Sequence, residues 1–408
     1  MGSASIGKTI LVIGTLDTKG EECLYIKELA QKSGFGAIII DCGSLGTPVV
    51  VGDITRREVA ERAGWSMEQL IETRDKGKII GAMTQGLVSW TAELFRDQKI
   101  HGVIAVGGGQ GTAFGTAAMQ QLPLGFPKVM VSTIASGNMR PFLQTKDIAV
   151  FPAITDVFGL NFIFNRILEN AVWALLAMVQ NYRPIEKGNR KVIAATAFGV
   201  TTLGLKKMKR IFNEKGFDMI LFHANGTGGR AMEELAESGY FDAVMDWSTQ
   251  EIVAHIGGGI FDAGENRLRI PAAMPIPYII APGAIDYITM GPFDTLPEGW
   301  DKRKIIIHNR NITLVRATAE EMGRAAEFLA MKANAAVAPL KVMIPLEGFS
   351  EPNAAGKPFF DPDADRFFLE TLKRLIRPGI EIIKLPLHIN DERFVRAAVE
   401  QMLSMMGM

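Results

Sequence analysis

Short apolar runs alternate with amphipathic stretches along almost the whole chain. Residues 8–13, 37–40, 102–106, 126–131 and 147–151 are rich in β-branched and apolar residues, and each is bounded by polar or glycine-containing turns. Between them, residues 21–32 place Leu24, Ile26 and Leu29 among charges at helical spacing, and Gly34 stops that helix. Residues 54–80 are charged and mostly helical, 86–97 form a further helix, and 160–180 form a long one that is apolar on most sides. That last pattern predicts burial between lobes or subunits. Short apolar strands joined by helices predict a parallel sheet covered on both faces. In such sheets functional side chains gather where strands end.

The pattern then repeats. Strand 191–196, polar turn 199–204, helix 205–214 stopped by Lys215-Gly216-Phe217 and strand 218–222 follow the order of the first forty residues, where Ser33-Gly34-Phe35 is the stop. Ile276-Pro277-Tyr278 echoes Phe126-Pro127-Lys128, and strands 304–307, 341–345 and 381–385 with helices 319–334, 364–374 and 392–404 complete the second half. An internal duplication explains the echoes. The predicted fold class is α/β, with two Rossmann-like doubly wound lobes, parallel sheets and a cleft between them. Residues 1–183 form the nucleotide-binding lobe and 184–408 the lobe with a second-substrate site, the linker falling in the Pro- and Gly-containing stretch 181–189.

Composition narrows the function classes. A chain of 408 residues exceeds one ordinary core. Lysine plus arginine and aspartate plus glutamate number 44 each, which removes the electrostatic case for nucleic acid or membrane lipid as partner. Cys23 and Cys42 are the only cysteines, too few for a disulfide framework or a multi-cysteine zinc site. Residues 1–5 lack a signal-peptide pattern and runs such as 171–179 are shorter than the ~20 residues of a membrane span, so a cytoplasmic location is expected.

Candidate chemistry begins at the strand end Gly107-Gly108-Gly109-Gln110-Gly111-Thr112, which leads into an alanine-rich helix. Free N–H groups at a helix N-terminus attract anions, and glycine permits close approach. Gly14, Thr15, Asp17, Thr18 and Lys19 follow one strand, Asp41 ends the next, and Ser132, Thr133, Ser136 and Gly137 follow another. In a parallel sheet these loops share one edge, which suits nucleotide phosphates, with Lys19 as counter-charge and Asp17 or Asp41 as holder of Mg²⁺ or a ribose hydroxyl. Helix capping by the threonines and turn formation by Asp41 is the structural alternative. G-x-x-x-x-G-K-[ST] is absent, so this is not a P-loop. Gln110 stands where the GGDGT turn of NAD and lipid kinases has Asp, and Thr112 stands at the third glycine of G-x-G-x-x-G.

In the second half His223, Asp246, Asp286, His308, Asn309, His388, Asn390 and Asp391 fall at or after predicted strand ends. His223, His308, His388 and Asp286 are the candidates for acid–base chemistry. Asn225, Gly226, Gly228, Gly229 and Arg230, with Asn309 and Asn390, are candidates for holding a phosphate or carboxylate of a second substrate. No H-x-x-x-H or C-x-x-C spacing supports zinc.

Residues 14–20, 107–112, 127–137, 223–233 and 388–391, taken together and in order, resemble the Tm-1-like ATP-binding protein family, also called UPF0261. The resemblance implies two Rossmann-like lobes with ATP in the first, and a homo-oligomer. A plant virus-resistance relative has an additional C-terminal barrel that is not expected here, so inhibition of a virus is not carried over. Three functions are open at this point: an enzyme coupling ATP, with Mg²⁺, to a small anionic metabolite in the interlobe cleft; an ATP-binding regulatory or interaction module without catalysis; and a sugar-acid or sugar-phosphate isomerase or lyase that ignores ATP.

Overall fold

A computed structural model describes residues 7–44 and 46–408. The expectation about residues 1–5, and Leu45 of the turn after Asp41, lie outside them. The chain forms two compact units, Met1–Glu186 and Lys187–Met408.

The first unit runs β1 (Thr9–Gly14), α1 (Leu16–Lys32), β2 (Gly36–Asp41), α2 (Arg56–Arg62), α3 (Met67–Glu72), α4 (Lys76–Arg96), β3 (Gly102–Gly107), α5 (Gly109–Gln120), β4 (Lys128–Ser132), α6 (Arg140–Leu143), β5 (Ala149–Pro152) and α7 (Phe162–Asn181). Its five strands are all parallel, in the order β2-β1-β3-β4-β5. Alternate residues of the central strands enter two separate cores. Leu11, Ile13, Val103, Ala105 and Met130 pack with Met83, Leu87 and Phe114 of α4 and α5. Ile10, Val12, Ile104, Val106 and Val129 pack with Ile26, Leu168, Val172 and Leu175 of α1 and α7. Burial on both faces is why these strands read as unbroken apolar runs.

The second unit runs β6 (Val192–Ala197), α8 (Thr202–Glu214), β7 (Asp218–His223), α9 (Gly228–Glu237), β8 (Ala243–Ser248), α10 (Gln250–Gly257), α11 (Ile270–Ala273), β9 (Tyr278–Gly283), β10 (Tyr287–Met290), β11 (Ile305–Asn309), β12 (Ile312–Arg316), α12 (Ala319–Asn334), β13 (Leu340–Pro345), α13 (Pro362–Leu375), β14 (Glu381–Leu385) and α14 (Glu392–Met405). Its parallel sheet has the order β14-β13-β9-β8-β6-β7. Read from β7, that is the order of the first unit with one strand added. The duplication seen in the sequence is therefore a duplication of Rossmann-like topology. In each unit the chain reverses its direction of growth once, between β1 and β3 and between β6 and β8, and such switch points are where open α/β sheets form crevices.

Several boundaries differ from those expected. The polar turn at 14–20 is the first turn of α1, which starts at Leu16 and is non-helical only at Lys19 (φ −130°, ψ 21°). Position 20, inside this helix, is closely approached by the loop after β2: a Cβ there would lie 2.5 Å from Val49 Cγ2. Helix α4 begins ten residues before the expected 86, where the Asp75 carboxylate accepts the Lys78 N–H at 3.1 Å. Residues 305–309 do not join the parallel sheet. They form β11, the edge of a separate antiparallel sheet ordered β10-β12-β11, whose β10 and β12 carried no legible signal in strands of four and five residues.

Among the described residues, α7 is the one helix long and apolar enough to cross a membrane, with 39% of its most apolar window buried. One face is accounted for within its own unit, where Phe164, Leu168, Ala171, Val172, Leu175, Leu176 and Val179 cover β3, β4 and α1, while Phe162, Ile163, Trp173 and Met178 are exposed.

Candidate functional site

At the β1/β3 switch point the ends of the two strands open a cavity of about 280 Å³, lined by Thr15, Asp17, Thr18, Lys19, Ser44, Gly108, Gly109, Gln110 and Gly111. Helix α5 starts here with Gly108 as its N-cap and no side chain capping it. The Thr112 N–H reaches the Gly108 carbonyl at 2.8 Å, so the N–H groups of Gly109, Gln110 and Gly111 have no acceptor within the helix. Two of the glycines are closely packed: a Cβ on Gly107 would lie 2.9 Å from Gly111 Cα, and one on Gly111 3.2 Å from the Val106 carbonyl. The other two are not. Gly108 would meet only Thr133 Oγ1 at 3.6 Å, Gly109 would meet nothing within 4 Å, and neither has a positive φ.

The opposite wall carries the charge. Lys19 Nζ donates to the Val157 carbonyl. An Asp17 oxygen accepts the Gly46 N–H at 3.0 Å, and the Thr15 and Thr18 hydroxyls are 2.8 Å apart. The remaining residues read as phosphate-binding sit behind this surface. Asp41 is buried, and its Oδ1 accepts the N–H groups of Leu16 at 3.0 Å and Gly43 at 2.8 Å, so it caps α1 from the neighbouring strand. Burial raises its pKa against the lowering pull of those two bonds. Thr112 and Ser132 are buried with their hydroxyls 2.7 Å apart, tying the start of α5 to the end of β4. Thr133 is half-buried and Ser136 and Gly137 exposed in the turn beyond, and none of the three lines the cavity. Gly14 lies against the two cysteines: a Cβ there would be 2.3 Å from Cys23 Sγ, and Cys42 Sγ donates to its carbonyl at 3.3 Å. Both thiols are free and fully buried, and burial pushes their pKa values up, away from reactivity.

Two wall features escaped sequence reasoning. Ser44 lies beyond the strand end that Asp41 marks. A second cavity, about 430 Å³, shares Asp17, Thr18 and Lys19 with the first and is otherwise lined by Gly20, Glu21, Glu22, Val49, Phe158 and Gly159. Val49 and Phe158 are too far apart in the chain for any local pattern to join them.

In the second unit the glycine turn before α9 is already filled. Glu251 Oε1 accepts the N–H groups of Gly226 at 2.7 Å and Gly229 at 3.3 Å, and its Oε2 accepts from Arg267 Nε at 2.7 Å. Arg267, fully buried, also binds Glu233 at 2.6 Å and Asp246 at 2.7 and 2.8 Å, and the Tyr278 hydroxyl donates to Asp246 at 2.8 Å. A Cβ on Gly229 would lie 2.0 Å from Glu251 Oε2, and one on Gly228 1.9 Å from the His223 carbonyl, so internal packing accounts for both glycines. Desolvation raises the Glu233 pKa to about 7 despite the adjacent Arg267. Asn225 Oδ1 accepts from the Thr227 hydroxyl at 3.0 Å, and Arg230 is half-buried on α9.

The acid–base candidates are dispersed. His388 Nδ1 accepts the Asn390 N–H at 3.1 Å, which leaves Nε2 to donate to the Ser350 carbonyl at 2.9 Å and fixes one neutral tautomer. Ser350 Oγ donates to Asp286 Oδ2 at 2.7 Å, and Asp286 is fully buried, its pKa raised by desolvation against the pull of Arg316. Asn390 accepts the Gly204 N–H at 2.9 Å and donates to the Val200 carbonyl at 2.8 Å. The fold thus brings Asp286, His388 and Asn390 to the carboxyl edge of the sheet, with His388 and Asn390 engaged in holding loops and Asp286 bonded through Oδ2 while its buried Oδ1 has no hydrogen-bond partner among the described residues. His308 and Asn309 are exposed on β11, and Asp391 caps α14. His223 is exposed at the end of β7, its ring stacked on Phe198 at 5.3 Å, and its nitrogens make no hydrogen bond among the described residues. No group of three or more His, Cys, Asp or Glu among those residues is placed to hold a metal ion.

Fold and site together define a duplicated, doubly wound α/β protein with an open crevice at the switch point of its first unit. Residues 8–184 match the N-terminal domain, and residues 190–406 the C-terminal domain, of the Uncharacterised protein family UPF0261. The chain belongs to that family. A UPF0261 protein of Clostridium tetani is 39% identical over 402 residues, covering 98% of this chain and all of that protein. The ToMV resistance protein Tm-1(GCR237) of Solanum lycopersicum is 31% identical over 416 residues, 97% of this chain but 55% of that protein. Among solved structures, a UDP-N-acetylglucosamine 2-epimerase covers 98% of this chain and 97% of its own at 10% identity and a TM-score of 0.24. The UDP-GlcNAc 2-epimerase of Methanocaldococcus jannaschii gives 97% and 92% at 11% identity and 0.23. Neither their ligands nor their activity transfer to this chain at such values.

Proposed function

We propose that the protein is an ATP-binding member of its family and that the nucleotide phosphates occupy the crevice between β1 and β3. The observation that carries this reading is the uncapped N-terminus of α5 at the switch point, with Gly108 and Gly109 left bare where the chain's own packing makes no demand for glycine. Backbone N–H groups and the helix dipole favour phosphate there, and Lys19 on the opposite wall adds an ammonium. Mg²⁺ is held by one or two carboxylates together with phosphate oxygens and water. Asp17, which lines the crevice beside the Thr15, Thr18 and Ser44 hydroxyls while one of its oxygens accepts the Gly46 N–H, fits that need better than Asp41, which is buried behind the crevice and caps α1. The metal would supply charge neutralisation for the phosphates. The choice of ATP among nucleotides follows the Tm-1-like resemblance.

The geometry favours ATP as ligand over ATP as reactant. In the second unit the glycine turn that would seat a second anion is filled by Glu251, and both ring nitrogens of His388 are bonded. His223 and His308, both exposed and with ring nitrogens that make no hydrogen bond among the described residues, keep the alternative of ATP-coupled chemistry on a small anionic metabolite in play. Calorimetric titration with Mg·ATP, followed by chromatography of the nucleotide after prolonged incubation with and without a panel of sugar acids, tests the reading. Binding with ATP recovered intact is expected. Absence of binding heat refutes ATP as ligand, and metabolite-dependent loss of ATP refutes the ligand-only role.

A further inference from the structure

Phe158 is 87% exposed and Val49 62% exposed, and both face the larger cavity that adjoins the phosphate crevice through Asp17, Thr18 and Lys19. An aromatic ring so fully in water gains free energy from any flat apolar partner that covers it. Its position is fixed: the residue before it, Val157, takes a hydrogen bond from Lys19 on its carbonyl, and the residue after it, Gly159, donates its N–H to Glu22 Oε1 at 3.0 Å. Both anchors are on α1, the helix whose first turn walls the phosphate crevice.

We propose that this second cavity is the base subsite of the nucleotide, with the heteroaromatic base stacked on the Phe158 ring and Val49 beside it. The inference rests on the reading of the first crevice as a phosphate site. The two cavities meet along one wall, so a single ligand with an anionic tail and a planar head spans them. Glu22 on that wall is buried, with Oε1 already accepting the Gly159 N–H, so it holds the Phe158 loop in place beside the cavity.

The test compares ATP with inorganic tripolyphosphate, which has the tail and lacks the head, by calorimetric titration of the wild-type chain, Phe158→Ala and Phe158→Trp. The exposed ring makes Phe158→Ala neutral to folding, which a melting curve checks. Loss of stacking is expected to weaken ATP about 5- to 150-fold while tripolyphosphate changes less than twofold, and Phe158→Trp is expected to retain ATP. Wild-type affinity for ATP in Phe158→Ala overturns the base subsite and leaves the phosphate reading standing. Equal weakening of both ligands also overturns it, since Phe158 would then act through the loop and not the base. Failure of the wild-type chain to bind either ligand removes the phosphate reading and the subsite with it.

Discussion

Replacing Gly109 by aspartate should move stability and nucleotide affinity in opposite directions. A Cβ at Gly109 meets nothing within 4 Å, so the side chain enters without a clash. Position 109 opens α5, which has no acidic residue in its first turn and no capping side chain. An aspartate there gains about 0.3–1 kcal/mol from the helix dipole. Exchanging a helical glycine for another residue adds a few tenths more. A total near 1 kcal/mol raises the midpoint of a unit of this size by about 2–4 °C. The same carboxylate faces the place assigned to phosphate. One added negative charge about 5 Å from one phosphate charge, at an effective dielectric constant near 40, costs about 1.7 kcal/mol, or roughly 15-fold in affinity. Differential scanning calorimetry with and without Mg·ATP reads both effects. The variant should melt above the wild-type chain without ligand and lose most of the ATP-induced rise. A variant that melts higher and keeps full ATP affinity would refute the placement of phosphate at α5. A variant that melts lower would refute the claim that this helix end is free.

Two further outcomes concern the second unit. Gly229→Ala should destabilise it by about 3 kcal/mol in urea unfolding, because the new methyl displaces Glu251 and Arg267 from a fully buried charge network; a loss below about 1 kcal/mol would contradict the packing described. Desolvation raises Glu233 from 4.5 to about 7, so between those values the folded chain holds a proton that the unfolded chain has released. Its contribution to stability is complete below about pH 4.5 and is lost as pH rises through 7. Glu233→Gln keeps an acceptor for the Leu268 N–H and should flatten the decline of stability across that window. Urea unfolding at pH 5, 6 and 7 checks it, and an unchanged slope argues against a protonated Glu233.

What was legible in the sequence follows from how local each cause is. Helix α12 has the limits its sequence predicts, since Thr318 and Glu321 form a capping box within the segment itself. Helix α1 starts earlier than its sequence suggests, because the group that caps Leu16 is Asp41, on the adjacent strand. The glycine turns at 107–112 and 226–229 look alike as sequence. In the structure Glu251, which lies at the start of the helix after β8, reaches back into the second one, and Gly226 there takes a positive φ that none of the glycines at 107–111 takes. The doubly wound topology was readable from alternating apolar and amphipathic runs, whereas β10 and β12 were too short to stand out. Phe158 could not have been joined to Thr18 without the sheet that brings β5 and β1 to one edge.

A seat closed by the protein's own carboxylate, as Glu251 closes the turn before α9, is occupied at every solute concentration. A seat left open, as at α5, fills in proportion to what the surroundings provide. With ATP at about a hundredfold above its dissociation constant, mass action would add roughly 2.7 kcal/mol to the folded state of the first unit and nothing directly to the second. On the proposed reading the duplicated halves would differ as a gauge differs from its mounting: one would have a folded population that registers the nucleotide supply, while the other, its seat already filled by Glu251, would hold constant.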